Sequence, residues 1–459
     1  MTRVLAARRA AAVLVVLVTA AAVALLCLIA WDQIRVDAFL FAKSGSNQVL
    51  AFCASVFAVL AIGLVCGPGG RRTLLISCAA VALGMLVLTS VLSGGVVALL
   101  VAAGILLAAW QLGEWGLSLA GRRGTGGILL AAGLGYAVLT TGVFILGVVG
   151  ALWWWVVTLP VMAVAVIGIA GLVGRIRRRT PDARAAWAWL ASGPSRAECI
   201  VGGTGLLVAG AACIWTAAPE VQFDPLWGKE WLPAAWADAG TISVDPRDAQ
   251  TFQAGGTLYV TTIGHLVGAD SVGRYLSFLV GVFLAVSIWQ LVRPIAGRAV
   301  AVILGLVFLV TPHVIWQMGT ADDDLQLCLA AGALAVGVIA FDRGSWREAL
   351  LVGVLAGGAV SGKFHLIAFA GIAALGWLVF TGRRGRLAGI AAFVAGAVII
   401  TAPSLVYRWV ESGNPFFPGL NDIFESRFFR GHIDLKVLGC FLVFLIKVLK
   451  CDYFVINFS

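Results

Sequence analysis

Apolar runs of about 20 residues, separated by polar connections, recur from residue 10 to residue 408. A helix of that length crosses the roughly 30 Å hydrocarbon core of a bilayer. The pattern predicts helices at 10–30, 48–66, 73–91, 96–112, 127–148, 151–173, 199–217, 272–291, 299–315, 325–341, 349–361, 364–381 and 387–407. A further candidate runs over 435–449. Short segments of alternating polarity, the mark of a transmembrane barrel, are absent. The fold class is all-α: a polytopic transmembrane helical bundle of about thirteen helices.

Most connections are a few residues long; 218–271 and 408–434 are not. The first contains VQFDPLWGKEWLPAAWADAGTISVDPRDAQTFQ, rich in Trp, Pro and acid. Within it, WLPAAWADAG and TLYVTTIGHLVG predict short amphipathic helices, whose aromatic residues suit a membrane interface.

Composition agrees with this class. The chain is 61% hydrophobic, more apolar than a soluble chain of 459 residues can cover with polar surface. Its net charge of +10 comes mainly from Arg. The clusters are Arg71–Arg72, Arg122–Arg123, RIRRR at 175–179, Arg293 and Arg298, Arg343 and Arg347, and Arg383, Arg384 and Arg386. With the N-terminus and its Arg3, Arg8 and Arg9 cytoplasmic, all of them fall on the inner side. The charge therefore reports orientation, and nucleic acid is not an expected partner. The first apolar run is too long for a signal-peptide core and is expected to stay as a helix. The nine Cys, Cys53, Cys78, Cys213 and Cys328 among them, lie mostly within apolar runs and form no CxxC. They are expected as small buried hydrophobes.

Polar residues that resist this pattern are the candidate chemistry. TADDDLQ (320–326) places Asp322, Asp323 and Asp324 between two apolar runs, on the expected outer side. One Asp is enough to cap a helix; three exceed that need, although a solvated loop would also hold them. Three carboxylates could hold a divalent cation, but adjacent residues do not share a helix face, so only two would converge. Asp224 stands in FDPLW, either starting a turn before Pro225 or forming a partly dry carboxylate of raised pKa. Glu230 follows six residues later. Lys363 interrupts an apolar stretch and is one of three Lys (with Lys43 and Lys229) in the first 435 residues. It is either a snorkelling lysine or an anion contact. Arg274 and His313 are placed on the same outer side. Glu114 lies near an inner helix end, where a solvated position is expected.

The order of these segments carries a resemblance. FDPLW, GADSVGRYLSFLVGVF, TADDDLQ, AGGAVSGKFHLIAFAG and YRWVESGNPFFPGLNDIF follow one another across residues 199–430. Together they resemble the C-type membrane glycosyltransferases that use polyprenyl-phosphate sugars, the protein mannosyltransferases and lipid A aminoarabinose transferases above all. The resemblance implies a seven-helix core over 199–434 with the outer loops 218–271 and 408–434. It implies transfer of a sugar, with inversion, from a polyprenyl-phosphate donor to a hydroxyl of a glycan, lipid or protein acceptor. The site would face outward from the cell membrane. Asp224 would be the catalytic base, with Glu230 the runner-up. The run Asp322–Asp324 would lie near the donor phosphate or bind a metal. Lys363 with His365, joined by Arg274 and His313, would hold the lipid phosphate. The six helices of 1–198 depart from the family pattern and have no assigned role. The stretch 435–459, with lysines at 436, 447 and 450, changes composition as a truncated or frame-shifted tail would. The rival reading is a multi-pass transporter or lipid flippase, which would place ionisable groups at mid-membrane and show repeated halves. A membrane scaffold whose outer acids only bind cations is a second rival.

Overall fold

The computed structural model describes residues 67–122, 127–177, 193–220, 225–244, 251, 255–341, 345–363, 366–380, 386–417, 421–424 and 426. The helices expected at 10–30, 48–66 and 435–449 lie outside these residues, as do Asp224 and His365. The described residues form helices and turns, with no strand among them.

In chain order the longer elements are α1 Pro68–Leu92, α2 Val96–Leu119, α3 Gly127–Val148, α4 Thr158–Arg177 and α5 Arg196–Ala217. A π-helical turn, Pro225–Trp231, leads into α6 Leu232–Ala239, followed by α7 Gly256–His265. Then come α8 Val272–Val310, α9 Pro312–Gly319, α10 Asp324–Ala340, α11 Trp346–Gly362, α12 Ile367–Phe380 and α13 Arg386–Ser412. Among the described residues, six helices are long and apolar enough to span a membrane, or seven if α9 and α10 count as one bent span.

The start of α5 shows how the sequence sets a boundary. Ser195 Oγ accepts from Glu198 N (3.2 Å) and Glu198 Oε2 accepts from Ser195 N (2.8 Å), a reciprocal capping box. Element α8 has 39 residues, about 58 Å of helix and nearly twice the hydrocarbon thickness. It breaks at Gly297, whose φ of 83° suits glycine, three residues after Pro294. The break divides it as the sequence predicted, with Arg293 and Arg298 at the corner.

The described residues up to 242 and within 255–401 form one compact unit. At its centre, α3 is buried on most of its circumference, as an all-round apolar helix should be. It packs on α2, α10 and α11, so helices from both halves of the chain share one core. Small residues allow the close approach: a Cβ at Gly113 would overlap the Ala131 backbone, and one at Gly135 the Ala109 backbone. Element α7 corrects its expected surface position: residues 256–264 are all buried. Its leading Gly255 lies against the Gly362 carbonyl, where a side chain would not fit. The chain just after α6 is tied to the end of α3 and the turn that follows it: Leu152 N donates to Gly240 O (3.1 Å) and Ile242 N to Gly147 O (3.0 Å). Trp153, Trp154 and Trp155 in that turn are exposed, as interfacial tryptophans are.

Two residues differ from expectation. Glu114 is buried rather than solvated, because it lies on the side of α2 that carries the buried Gln111 and Leu117, while Trp115 and Leu119 on the other side are exposed. Cys78, Cys199 and Cys213 are buried, but Cys328 is exposed on the outside of α10.

A second unit contains, of the described residues, 243–244, 251, 402–417, 421–424 and 426. In its described part the chain turns sharply after α13: Asn414 Oδ1 accepts from Phe416 N (2.9 Å), and Ser412 Oγ accepts from Asn414 N (3.1 Å). A short helix, Asn421–Phe424, follows, and the rings of Phe416 and Phe424 meet at 5.6 Å.

Candidate functional site

The break between α9 and α10 organises the site. The two helices meet at 116°, so residues 320–323 leave helical geometry. Such a break strands backbone groups that a helix would otherwise pair. Side chains from several elements satisfy them here. Ser277 Oγ of α8 donates to Asp322 O (2.8 Å), and Thr216 Oγ1 of α5 donates to Met318 O (3.0 Å). Ala321 N donates to Glu220 Oε2 (3.1 Å), and Asp323 N donates to Asp322 Oδ1 (2.9 Å). Gln326 Nε2 in turn donates to Ser277 Oγ (3.1 Å).

Asp323 occupies the N-cap position of α10, yet its side chain makes no capping bond. It takes two ammonium groups on one oxygen instead: Lys363 Nζ at 2.9 Å and Lys229 Nζ at 3.2 Å. Lys363 Nζ also reaches Asp324 Oδ1 at 2.6 Å. The Gln317 amide of α9 donates to Asp322 Oδ2 (2.9 Å) and Asp324 Oδ2 (3.2 Å). His313 Nε2 lies 3.7 Å from Asp324 Oδ2 and is largely exposed. The need for capping thus accounts for none of the Asp323 carboxylate.

Lys363 is positioned by the end of α11, where it is the C-cap. A cation there also meets the negative end of the helix dipole. The glycines before it let neighbours close in: a Cβ at Gly353 would overlap the Phe393 carbonyl, and one at Gly357 would crowd the Ala397 carbonyl. Lys229 comes from the π-helical turn, 134 residues earlier in the chain than Lys363 (363 − 229).

A second ion pair stands beside the first group. Arg274 Nε donates to Glu230 Oε1 (3.0 Å), and Arg274 Nη1 donates to Thr216 O (3.2 Å). Thr216 therefore touches both halves of the site, through its hydroxyl to Met318 and its carbonyl to Arg274.

Burial and charge set the protonation of these groups. Burial alone raises Asp323, but the ammonium groups of Lys229 and Lys363 outweigh it and hold the carboxyl below its usual value. Burial pushes Asp322 up, only partly offset by the Asp323 N–H and the Gln317 amide. Glu230 is also raised by burial, against the opposing pull of Arg274. Lys363 loses hydration, yet the two carboxylates more than compensate and hold it firmly protonated.

The carboxylates of Asp322, Asp323 and Asp324 offer oxygens within 4.8 Å of one another. That spacing would suit a divalent cation, but the donor set does not. Lysine ammonium groups already face Asp323 Oδ1 and Asp324 Oδ1, and amide N–H groups face both oxygens of Asp322 and Asp324 Oδ2. The residues present fit internal cations better than a hard metal ion.

Of the residues singled out in the sequence, the structure brings together Asp322, Asp323, Asp324, Lys363 and His313, and places Glu230 and Arg274 beside them. Arg274 is engaged with Glu230, its guanidinium mostly buried. Sequence reasoning missed Lys229, Glu220 and Gln317. The signal that selected Lys363, a rare lysine on the side poor in positive charge, applied equally to Lys229.

Helices long and apolar enough to span a membrane, with a largely buried carboxylate–lysine cluster at the ends of α10 and α11, define a multi-pass membrane protein that carries a polar site. Residues 257–409, about a third of the chain, match the family described as dolichyl-phosphate-mannose-protein mannosyltransferase. The resemblance to C-type membrane glycosyltransferases is borne out over that stretch, and it supports a multi-pass membrane glycosyltransferase. The match takes in Arg274, Asp322, Asp323, Asp324 and Lys363; Glu220, Lys229 and Glu230 precede it. Neither a curated protein nor a solved structure matches the chain.

Proposed function

We propose that this protein transfers a sugar from a polyprenyl-phosphate donor to a hydroxyl acceptor on the extracytoplasmic face of the cell membrane. The observation that carries the reading is the Asp323–Lys229–Lys363 triad. It stands where a family-matched segment meets the acid-bearing connection before it.

In this reading Asp224 takes the proton from the acceptor hydroxyl, as a carboxylate base does in glycosyl chemistry. The hydroxyl oxygen forms a bond to the anomeric carbon from the face opposite the phosphate. The carbon–oxygen bond to phosphate breaks, the configuration inverts, and polyprenyl phosphate departs. Lys363, with Lys229, stabilises the charge that grows on the departing phosphate. Arg274 holds Glu230 in place through its Nε, and Glu230 is the second candidate for the role of base. No step requires a metal ion.

The test is a transfer assay with purified protein, a panel of radiolabelled polyprenyl-phosphate sugars and a mixture of lipid, glycan and peptide acceptors. The wild type is expected to turn over at least one donor, and Asp224→Asn to lose turnover while keeping expression and donor binding. Full activity in that variant would remove Asp224 as the base. A protein that moves labelled lipid across a vesicle bilayer without transferring sugar would favour the flippase alternative.

A further inference from the structure

We infer that Asp323 and Asp324, neighbours in sequence, act in opposite directions on a bound phosphate. Asp323 is a positioning residue that gathers Lys229 and Lys363 into one anion seat, and Asp324 is an internal counter-ion that a phosphate displaces from Lys363. The inference rests on the glycosyl-transfer reading and assigns roles that it leaves open.

The geometry separates the two acids. One oxygen of Asp323 lies 2.9 Å from Lys363 Nζ and 3.2 Å from Lys229 Nζ. The two ammonium groups therefore stand within about 6 Å of each other, where their repulsion is balanced by the carboxylate they share. The Asp323 side chain is only 2% exposed, so an arriving anion does not reach it first. Asp324 differs: its side chain is 39% exposed and that of Lys363 is 26% exposed. Its contact to Lys363, at 2.6 Å, is the shortest in the cluster and faces the exposed His313.

A phosphate oxygen asks of an ammonium what a carboxylate oxygen asks: a short, charge-assisted hydrogen bond. Asp324 and a phosphate cannot share the exposed side of Lys363 without repelling each other. Exchange of one anion for the other resolves the conflict. Asp324 swings toward solvent and keeps its charge, Lys363 keeps Asp323, and the phosphate takes the vacated N–H. Lys229, already held by Asp323, becomes the second cation near it. An ammonium carries three donors, enough for this arrangement at both lysines.

The experiment measures binding of farnesyl phosphate to the purified full chain in detergent by titration calorimetry, with donor KM and kcat measured in parallel. Asp324→Asn is expected to bind farnesyl phosphate three- to tenfold tighter and to lower donor KM by a similar factor. Asp323→Asn and Lys229→Ala are each expected to weaken binding at least tenfold, and the double variant to do little more than either alone. A gain of affinity is not an outcome of misfolding, and Lys229→Ala serves the second arm if Asp323→Asn does not fold. Weaker binding in Asp324→Asn, or equal losses at 323 and 324, would overturn the inference. So would a wild type that does not bind farnesyl phosphate. Inorganic phosphate should follow the same pattern at least tenfold more weakly; equal affinity would overturn the assignment to a lipid-linked phosphate. Opposite effects on binding without transfer of any sugar would retain the seat and reject the glycosyl-transfer reading.

Discussion

Helix α11 carries an ion pair at each end, and the two ends behave differently. At its start, Glu348 meets Arg122 in a bidentate pair at 2.9 and 3.2 Å, with the arginine 36% exposed. At its finish, Lys363 joins Asp323, Asp324 and Lys229 in a cluster whose centre is almost wholly buried. The first holds a connection to a helix end at the arginine-rich side. The second draws the π-helical turn, the α9–α10 break and the end of α11 onto one carboxylate. The Arg122–Glu348 pair buries its carboxylate but leaves its cation partly in water. A cluster that excludes water and recruits partners from three segments is expensive to hold unless it has further work to do.

This contrast can be broken or sharpened by measurement, beginning with the largest effect. Asp224→Asn should lower kcat by about a hundredfold to ten-thousandfold, the usual worth of a general base, with donor KM little changed. Asp323→Asn should destabilise the bundle by about 3 kcal/mol, because it leaves two partly buried cations without their shared anion. Chemical denaturation in mixed micelles reads that loss. The same stabilisation should depend on pH. Asp323 titrates below its usual value in the folded protein, so its contribution is present above about pH 4 and is lost as the pH falls through the folded value. The melting-temperature gap between wild type and Asp323→Asn should therefore close on acidification. At the other end of α11, Glu348→Gln should cost about 1–2 kcal/mol, less than Asp323→Asn: Glu348 is buried, but the glutamine keeps an amide oxygen for Arg122, which retains part of its hydration. The smallest effect is expected from a chelator: EDTA should leave transfer within about twofold, and a tenfold loss restored by a divalent cation would return the three aspartates to metal binding.

Much of the bundle was legible in the sequence. The apolar runs at 73–91, 96–112, 127–148 and 199–217 all fall inside helices, because hydrophobic length is a direct physical signal. The Gly297 corner was legible too, since Pro294 and two arginines interrupt the run. Periodicity did not reveal that α7 is buried: TLYVTTIGH has polar residues on one side, but Thr261 and Thr262 turn their hydroxyls to Leu258 O within the helix. A threonine that satisfies itself this way can be buried at little cost. The place of Glu114 near a helix end also favoured a solvated side chain, since a single sequence does not show which side of α2 faces the bundle.

The candidate site was legible in part. Three aspartates and one misplaced lysine stood out against an apolar background. Their partners did not, because nothing local to TADDDLQ points to Lys229 or to Glu220. Those pairings depend on which connections converge in space. Arg274 illustrates the same limit: its position suited a phosphate contact, but nothing local showed that its Nε and Nη1 meet Glu230 and the Thr216 carbonyl.

The most direct test compares the two ends of α11 in one assay. Initial rates of sugar transfer are measured for wild type, Asp323→Asn and Glu348→Gln at equal amounts of folded protein. The account predicts a fall of about a hundredfold or more for Asp323→Asn and a rate within twofold of wild type for Glu348→Gln. Equal losses in both variants, or a full rate in Asp323→Asn, would contradict it.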